Sequence, residues 1–188
     1  MSQFFVGVDL GQVRDPTAIA VVEAADVLRL RHLERIALKT AYGDVVERVR
    51  QISRSKALDG RCQVVADATG VGRPVVEMLE SAKLGGELLP VLATSGGKES
   101  RNEAYYHVPK RDLIVRVQTM LHAGKLHISG GLPDTDALIR ELTQMKVRQS
   151  ETKRERFAAW KRSEHDDLVF AVALACWGAV KFQLAGSR

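Results

Sequence analysis

Cysteine is scarce: Cys62 and Cys176 are the two in 188 residues. One falls in an apolar strand-like run and the other in an apolar helix-like run, and neither has metal-ligand spacing around it. A zinc module and a disulfide framework are therefore excluded as organising principles, and two buried reduced thiols of a cytosolic protein are expected. Long apolar runs are also missing. No stretch of about 18 uncharged apolar residues occurs, and no basic region leads into an apolar one at the N-terminus, so neither a membrane span nor a secretory leader is predicted. Internal repeats and low-complexity tracts are absent too. With 45% apolar residues, the chain is long enough for one well-buried core and short for two domains, so one domain over residues 1–188 is expected.

An excess of negative charge is lacking as well: the net charge is +5 and the pI is near 9.4. The surplus is local. Between Lys146 and Arg162 seven basic residues (Lys146, Arg148, Lys153, Arg154, Arg156, Lys161 and Arg162) face two acids, Glu151 and Glu155, which accounts for the whole net charge. A solvated face is the ordinary reading of such a run; a polyanion such as nucleic acid is the functional one.

The most informative stretch is Phe4-Phe5-Val6-Gly7-Val8-Asp9-Leu10-Gly11. A short apolar run closed by Asp-x-Gly predicts a strand buried on both faces that delivers a carboxylate to its C-terminal end. After the turn at Asp15-Pro16, Thr17 to Val22 reads as a second strand, and the period-two alternation of Val27 to Ile36 reads as a third with one wet face. A helix follows from Gly43-Asp44 to the stop at Asp59-Gly60. Gln63 to Asp67 is a further strand ending in aspartate, followed by small residues, and Pro74 suits the first turn of a helix reaching about Lys83. Gly70-Val71-Gly72 is a weak match to a phosphate-cradling turn.

Leu88 to Leu92 reads as a strand, and 94–103, rich in Gly, Ser and charge, as a mobile surface loop. Pro109 opens a helix through about Ala123. Gly124 to Ile128 reads as an edge strand, and Pro133-Asp134 starts a helix carrying Leu138, Ile139, Leu142 and Met145. The basic stretch divides into Met145 to Gln149 and Arg156 to Lys161 around Ser150-Glu151-Thr152-Lys153, which predicts a β-hairpin. Finally, His165-Asp166-Asp167 precedes Leu168 to Trp177, apolar on nearly all sides and so a helix packed in the core. The order predicts α/β architecture with a mixed sheet, antiparallel at first and parallel later.

Asp9 and Asp67 thus stand at strand ends, and Asp166 or Asp167 at the first turn of a core helix. If the two strands are parallel neighbours, the acids converge. Converging carboxylates repel, and their burial is costly unless cations neutralise them. Hard oxygen donors without a His/Cys set favour Mg²⁺ or Mn²⁺ over Zn²⁺. Two such ions about 4 Å apart would activate a water and stabilise the leaving oxygen of a phosphodiester.

Val8-Asp9-Leu10-Gly11, Val65-Ala66-Asp67-Ala68-Thr69-Gly70-Val71-Gly72 and His165-Asp166-Asp167-Leu168-Val169 resemble, in order and spacing, the three acidic motifs of the nuclease domain of the large terminase subunit of tailed bacteriophages, in the RNase H-like superfamily. The resemblance covers about Phe4 to Val180. It implies an RNase H-like mixed sheet flanked by helices and metal-dependent endonucleolytic cutting of concatemeric viral DNA during packaging in the cytoplasm of the bacterial host. It makes Asp9, Asp67 and Asp167 catalytic metal ligands, lets Asp166 share that role or cap the helix, and adds Asp15, in the turn after the first strand, as a further metal ligand. The basic hairpin would hold double-stranded DNA by its phosphates, without reading sequence.

Two features depart from that pattern. The chain has no Gly-x-x-x-x-Gly-Lys-Ser/Thr, so it is expected not to be a motor by itself but an excised or separately encoded nuclease domain or a free-standing relative, with a packaging ATPase domain or other terminase or portal components as partners. Phe170 stands where many relatives carry another acid. Rival readings are a Holliday-junction resolvase of the same superfamily, separable by substrate preference, and a non-catalytic DNA-binding module, which would bind DNA without metal or Asp9. An actin-like or sugar-kinase ATPase needs two such lobes, and this chain has room for one.

Overall fold

The computed structural model describes residues 2–11, 15–70, 72–150 and 166–183, with the backbone alone at 72, 146–150 and 183. The strands are β1 (Gln3–Asp9), β2 (Thr17–Ala24), β3 (Leu28–Ile36), β4 (Cys62–Asp67), β5 (Gly86–Thr94), β6 (Ser100–Arg101), β7 (Tyr106–Pro109) and β8 (Leu126–Ile128). Between and after them run α1 (Tyr42–Ser53), α2 (Gly72–Ser81), α3 (Lys110–His122), α4 (Thr135–Ser150) and α5 (Asp167–Gln183). Among the described residues the strands form one sheet in the order β6-β7-β5-β4-β1-β2-β3-β8. The β1, β2 and β3 strands are antiparallel to their neighbours in that run, and β4, β5 and β7 add in parallel. As expected, 124–128 supplies an edge strand, with β8 parallel to β3.

The central position of β1 explains its unbroken apolar run: each face of the sheet carries its own core. Phe5 belongs to the core shared with α3, α4 and α5, whereas Val6 and Val8 belong to the core that includes Val45, Val46 and Val49 of α1 and Val75, Val76 and Leu79 of α2. Each such burial stabilises the fold by roughly 1.5–3 kcal/mol. The core helix is α5, buried almost continuously from Asp167 to Ala179. It lies so close to β1 that a Cβ at Gly7 would sit 2.0 Å from the Ala171 carbonyl oxygen and 2.7 Å from the Ala175 nitrogen. Further along, a Cβ at Gly178 would meet Val65 and Phe5 side chains at 2.8 and 2.9 Å. Small residues on both partners set the distance at which α5 rides on the sheet.

Three expectations change. Met145 to Gln149 is not a strand of a hairpin but the end of α4, which runs to Ser150. No Gly or Pro interrupts it, and Met145 continues the buried side begun by Leu138, so the helical period prevails over the alternation of basic residues. The rest of the expected hairpin, with Lys153, Arg154, Arg156, Lys161 and Arg162, lies outside the described residues. Second, β7 forms where no strand was expected, so that Pro109, expected to open a helix, ends a strand and α3 starts at Lys110. Third, the 94–103 loop is fastened: Glu99 accepts a hydrogen bond from Trp177 Nε1 at 3.1 Å and pairs with Lys181, and Ser100–Arg101 forms β6 against β7.

Candidate active site

Strand parity decides where the acids point. Successive side chains alternate across a sheet. Phe5 and Gly7 face α5 on β1, so Asp9 faces it too; Val65 faces it on β4, so Asp67 does as well. The parallel register places Val8 beside Ala66, which makes Asp9 and Asp67 the next residues on adjacent strands. Because α5 runs from the Asp9 end of β1 towards the Phe5 end, its first residues bring Asp166 and Asp167 to the same edge. The convergence expected of Asp9, Asp67 and the acids that open the core helix is what the fold produces.

The carboxylates differ in how they are held. Asp67 Oδ1 accepts hydrogen bonds from the Thr69 backbone N–H at 2.9 Å and the Thr69 hydroxyl at 2.5 Å, while Thr69 Oγ1 accepts the Ala93 N–H at 2.9 Å. This Asx-type turn fixes the aspartate and ties the ends of β4 and β5 together, and Gly70 continues it at φ +64°. The small residues of Asp67-Ala68-Thr69-Gly70 thus have a local purpose. Burial raises the Asp67 pKa, and the Thr69 donors and Lys110 offset part of that rise.

Asp9 has no such donors among the described residues. Burial holds its pKa well above the usual carboxylate range, the charges of Asp67, Asp166 and Asp167 push it further, and Lys110 opposes them. A carboxylate so placed is relieved by a cation.

Asp166 caps α5, its carbonyl accepting the Phe170 N–H at 2.9 Å, while its side chain meets Lys110 Nζ at 3.0 Å. Asp167, 4% exposed, turns to Arg35 of β3, with Nε at 2.6 Å and Nη2 at 3.2 Å. The same guanidinium pairs with Glu141 of α4, whose other oxygen accepts the Val169 N–H at 3.0 Å. One guanidinium cannot neutralise two buried carboxylates. Burial and the Asp167 charge raise Glu141 to about 7, although the Val169 N–H and Arg35 act against the rise. Asp134 completes the brace by accepting the Arg35 backbone N–H at 3.0 Å.

Lys110, Arg35 and Glu141 are absent from the sequence reading of the site. Lys110 follows the unrecognised β7, so its place at the acid edge was hidden. Glu141 had a signal: it interrupts the buried side of α4 between Leu138 and Met145. In the sequence Arg35 is in phase with Arg29 and Arg31 on the expected wet face, but the register shift of β3 against Val21 and Val22 turns Leu33 and Arg35 to the α5 side, and nothing local announces that shift.

Asp15 lies exposed in the bend after β1. Lys146 and Arg148 ride on the last turns of α4, and the other basic candidates fall outside the described residues. Among the described residues no three His, Cys, Asp or Glu side chains gather into a ready-made metal cage. The ion pairs give the reason: Lys110 draws on Asp166 and Arg35 on Asp167. The donors at the edge are nonetheless all hard oxygens, and Asp9 carries repulsion that a divalent ion would remove, so the residues fit Mg²⁺ or Mn²⁺. Asp9, Asp67 and Asp166 would hold it.

The fold is shared with proteins already known. The chain is 26% identical over 190 residues to the large terminase subunit of Thermus phage G20c, covering 98% of this chain and 34% of the relative, and equally to that of Thermus virus P23-45. It therefore spans about a third of the length of the curated relatives it matches. The crystal structure of the G20c large terminase nuclease superposes with a TM-score of 0.63 at 21% identity, over 93% of this chain and 81% of that one. The human cytomegalovirus terminase nuclease domain, Mn-soaked and inhibitor-bound, gives 0.55 at 12% identity, over 93% and 82%. A family model, the Terminase RNaseH-like domain, matches residues 6–177. With its mixed sheet, its acid-bearing strand ends and that match over most of its length, the chain belongs to the Terminase RNaseH-like domain family.

Proposed function

We propose that this chain is a metal-dependent endodeoxyribonuclease of the large-terminase type, which cuts concatemeric viral DNA during packaging in the bacterial host cytoplasm. One observation carries the reading: Asp9 and Asp67 stand side by side on the α5 face, with Asp166 opposite, and Asp9 is left in a repulsive field. A structural role would have given Asp9 a donor or a salt bridge.

Asp9, Asp67 and Asp166 are the proposed ligands, and Asp167 acts through Arg35 by fixing the first turn of α5. Bound Mg²⁺ or Mn²⁺, as two ions in the family mechanism, would supply an activated water and charge neutralisation at the phosphodiester. The protein's own work is to present oxygens in fixed directions. Thr69 orients Asp67, and the Arg35–Glu141 brace seats the start of α5. That the G20c large terminase nuclease has been solved with bound zinc and the cytomegalovirus domain Mn-soaked supports a divalent ion as the cofactor. The basic residues from Lys146 to Arg162 would neutralise DNA phosphates, which makes binding salt-dependent. A packaging ATPase domain and portal components are the proposed partners, because this chain corresponds to about a third of the relatives' length.

The test is incubation with supercoiled plasmid in Mg²⁺ or Mn²⁺, beside EDTA and the variants Asp9→Asn and Asp67→Asn, each checked for folding. Nicking and linearisation by wild type, lost with EDTA and in both variants, is expected. Cleavage that persists in Asp9→Asn would overturn the assignment.

A further inference from the structure

Among the described residues, Lys110 is the cation that acts on both strand-end acids. It opens α3 directly after β7, and β7 ends at the same edge of the sheet as β1 and β4 because all are linked by parallel pairing through β5. Its ammonium is 3.0 Å from Asp166 Oδ2, and its charge opposes the repulsion felt by Asp9 and Asp67 alike. It also sits over the Phe170 ring, 4.8 Å from the centroid, a favourable place for a cation. Arg35 is committed elsewhere, to Asp167 and Glu141. Among the described residues the three carboxylates at the edge therefore share one lysine, which is one-third exposed and has the reach to move.

We propose that Lys110 is the resident counter-cation of the acid edge: it holds Asp9, Asp67 and Asp166 together in the absence of metal and competes with the divalent ion for the same carboxylates. The inference rests on the metal-site reading above. The lysine is a positioning residue whose displacement is part of metal binding. Phe170, in the place where an acid would have added a ligand, gives the ammonium an apolar seat instead. The metal-free edge thereby tolerates its like charges, and metal affinity is set below what the acids alone would give.

The competition is read by calorimetric titration of Mn²⁺ into metal-stripped protein without DNA, together with melting temperatures in EDTA and in saturating Mn²⁺. The variants are Lys110→Met, which keeps the contact with Phe170 and removes the charge, and Lys110→Arg, which keeps the charge. Lys110→Met is expected to bind Mn²⁺ about tenfold more tightly, on the scale of one partly exposed ion pair. It should melt lower than wild type in EDTA and gain more from Mn²⁺, whereas Lys110→Arg should stay close to wild type. A variant that folds only with Mn²⁺ supports the same conclusion. Unchanged or weaker Mn²⁺ binding in Lys110→Met, or equal loss of stability with and without the ion, makes Lys110 a structural prop and overturns the inference. So does failure of both variants to fold in Mn²⁺. Wild type binding Mn²⁺ through Asp9 with Lys110→Met no tighter defeats this inference alone; wild type and Asp9→Asn both failing to bind defeats the metal-nuclease reading with it.

Discussion

The two ends of α5 treat acids in opposite ways. At its C-terminal end Glu99 is partly buried, which would raise its pKa, yet hydrogen bonds from Lys181 and Trp177 outweigh burial and leave it lowered. Around it Trp177, Tyr106 and Phe182 meet edge to face, with centroids 5.2 to 6.1 Å apart. At the N-terminal end Asp9 is likewise desolvated but meets further carboxylates, and it is raised. One helix thus joins an end where Glu99 is answered by a cation and an indole N–H to an end where Asp9 is left among like charges. The first end is built for stability, whereas the second stores repulsion that a metal would relieve, as expected where function is set against stability.

The contrast breaks most visibly at the aromatic end. Trp177→Ala removes a side chain that is 1% exposed and should cost about 3–5 kcal/mol in chemical denaturation. The loss should be similar with Mn²⁺ and with EDTA. If the ion restored most of it, the two ends would not be independent.

Asp9→Asn should act in the opposite sense. A carboxylate whose folded pKa lies above its unfolded value contributes stability at low pH and loses it as pH rises through the folded value. In metal-free protein at neutral pH the substitution removes that penalty, so its melting temperature should rise above wild type in EDTA. In Mn²⁺ the order should reverse, and cleavage should fall to the level without metal.

Glu141 sharpens the comparison inside the acid end. Its value of about 7 means that its contribution is present below about pH 4.5 and lost as pH climbs through 7. Glu141→Gln should therefore flatten the metal-free stability profile over that window, by up to roughly 3 kcal/mol between its ends. A profile that still falls by the wild-type amount would assign the loss to the strand-end acids Asp9 and Asp67. The smallest effect belongs to a pair remote from both ends. Burial tends to raise Glu34, but His32, 3.3 Å away, and two hydrogen bonds from Arg48, at 2.8 and 2.7 Å, bring it to about 2. Its contribution is present above about pH 4.5 and lost as pH falls towards 2. With Arg48 partly exposed, Arg48→Ala should cost about 1 kcal/mol at pH 7 and nothing below pH 2.

What could be read from the residues follows from how local each signal is. The buried strand Phe4 to Asp9, the strand ending in Asp67 and the apolar helix after Asp167 each announce themselves within ten or so residues, and the acids come with them. Parity and parallel pairing then fix the convergence. Strand β7 has four residues and ends in proline, too short for a period, so Lys110 beside the acids was not legible. The brace of Arg35, Glu141 and Asp167 joins residues more than 100 positions apart on three elements, and no local pattern encodes such a meeting. It also separates the two acids of the third motif, giving Asp166 to the edge and Asp167 to Arg35. Lys146 and Arg148 misled because basic residues at alternate positions imitate a strand while the helix of α4 simply continues.

The claim that the acid edge is a divalent-metal site is tested most directly by anomalous diffraction from crystals soaked in Mn²⁺. The expected map shows manganese bound by the Asp9 and Asp67 carboxylates, with Asp167 still on Arg35 and the Lys110 ammonium moved off Asp166. A well-soaked crystal with no manganese at Asp9, or with manganese held elsewhere, would contradict it.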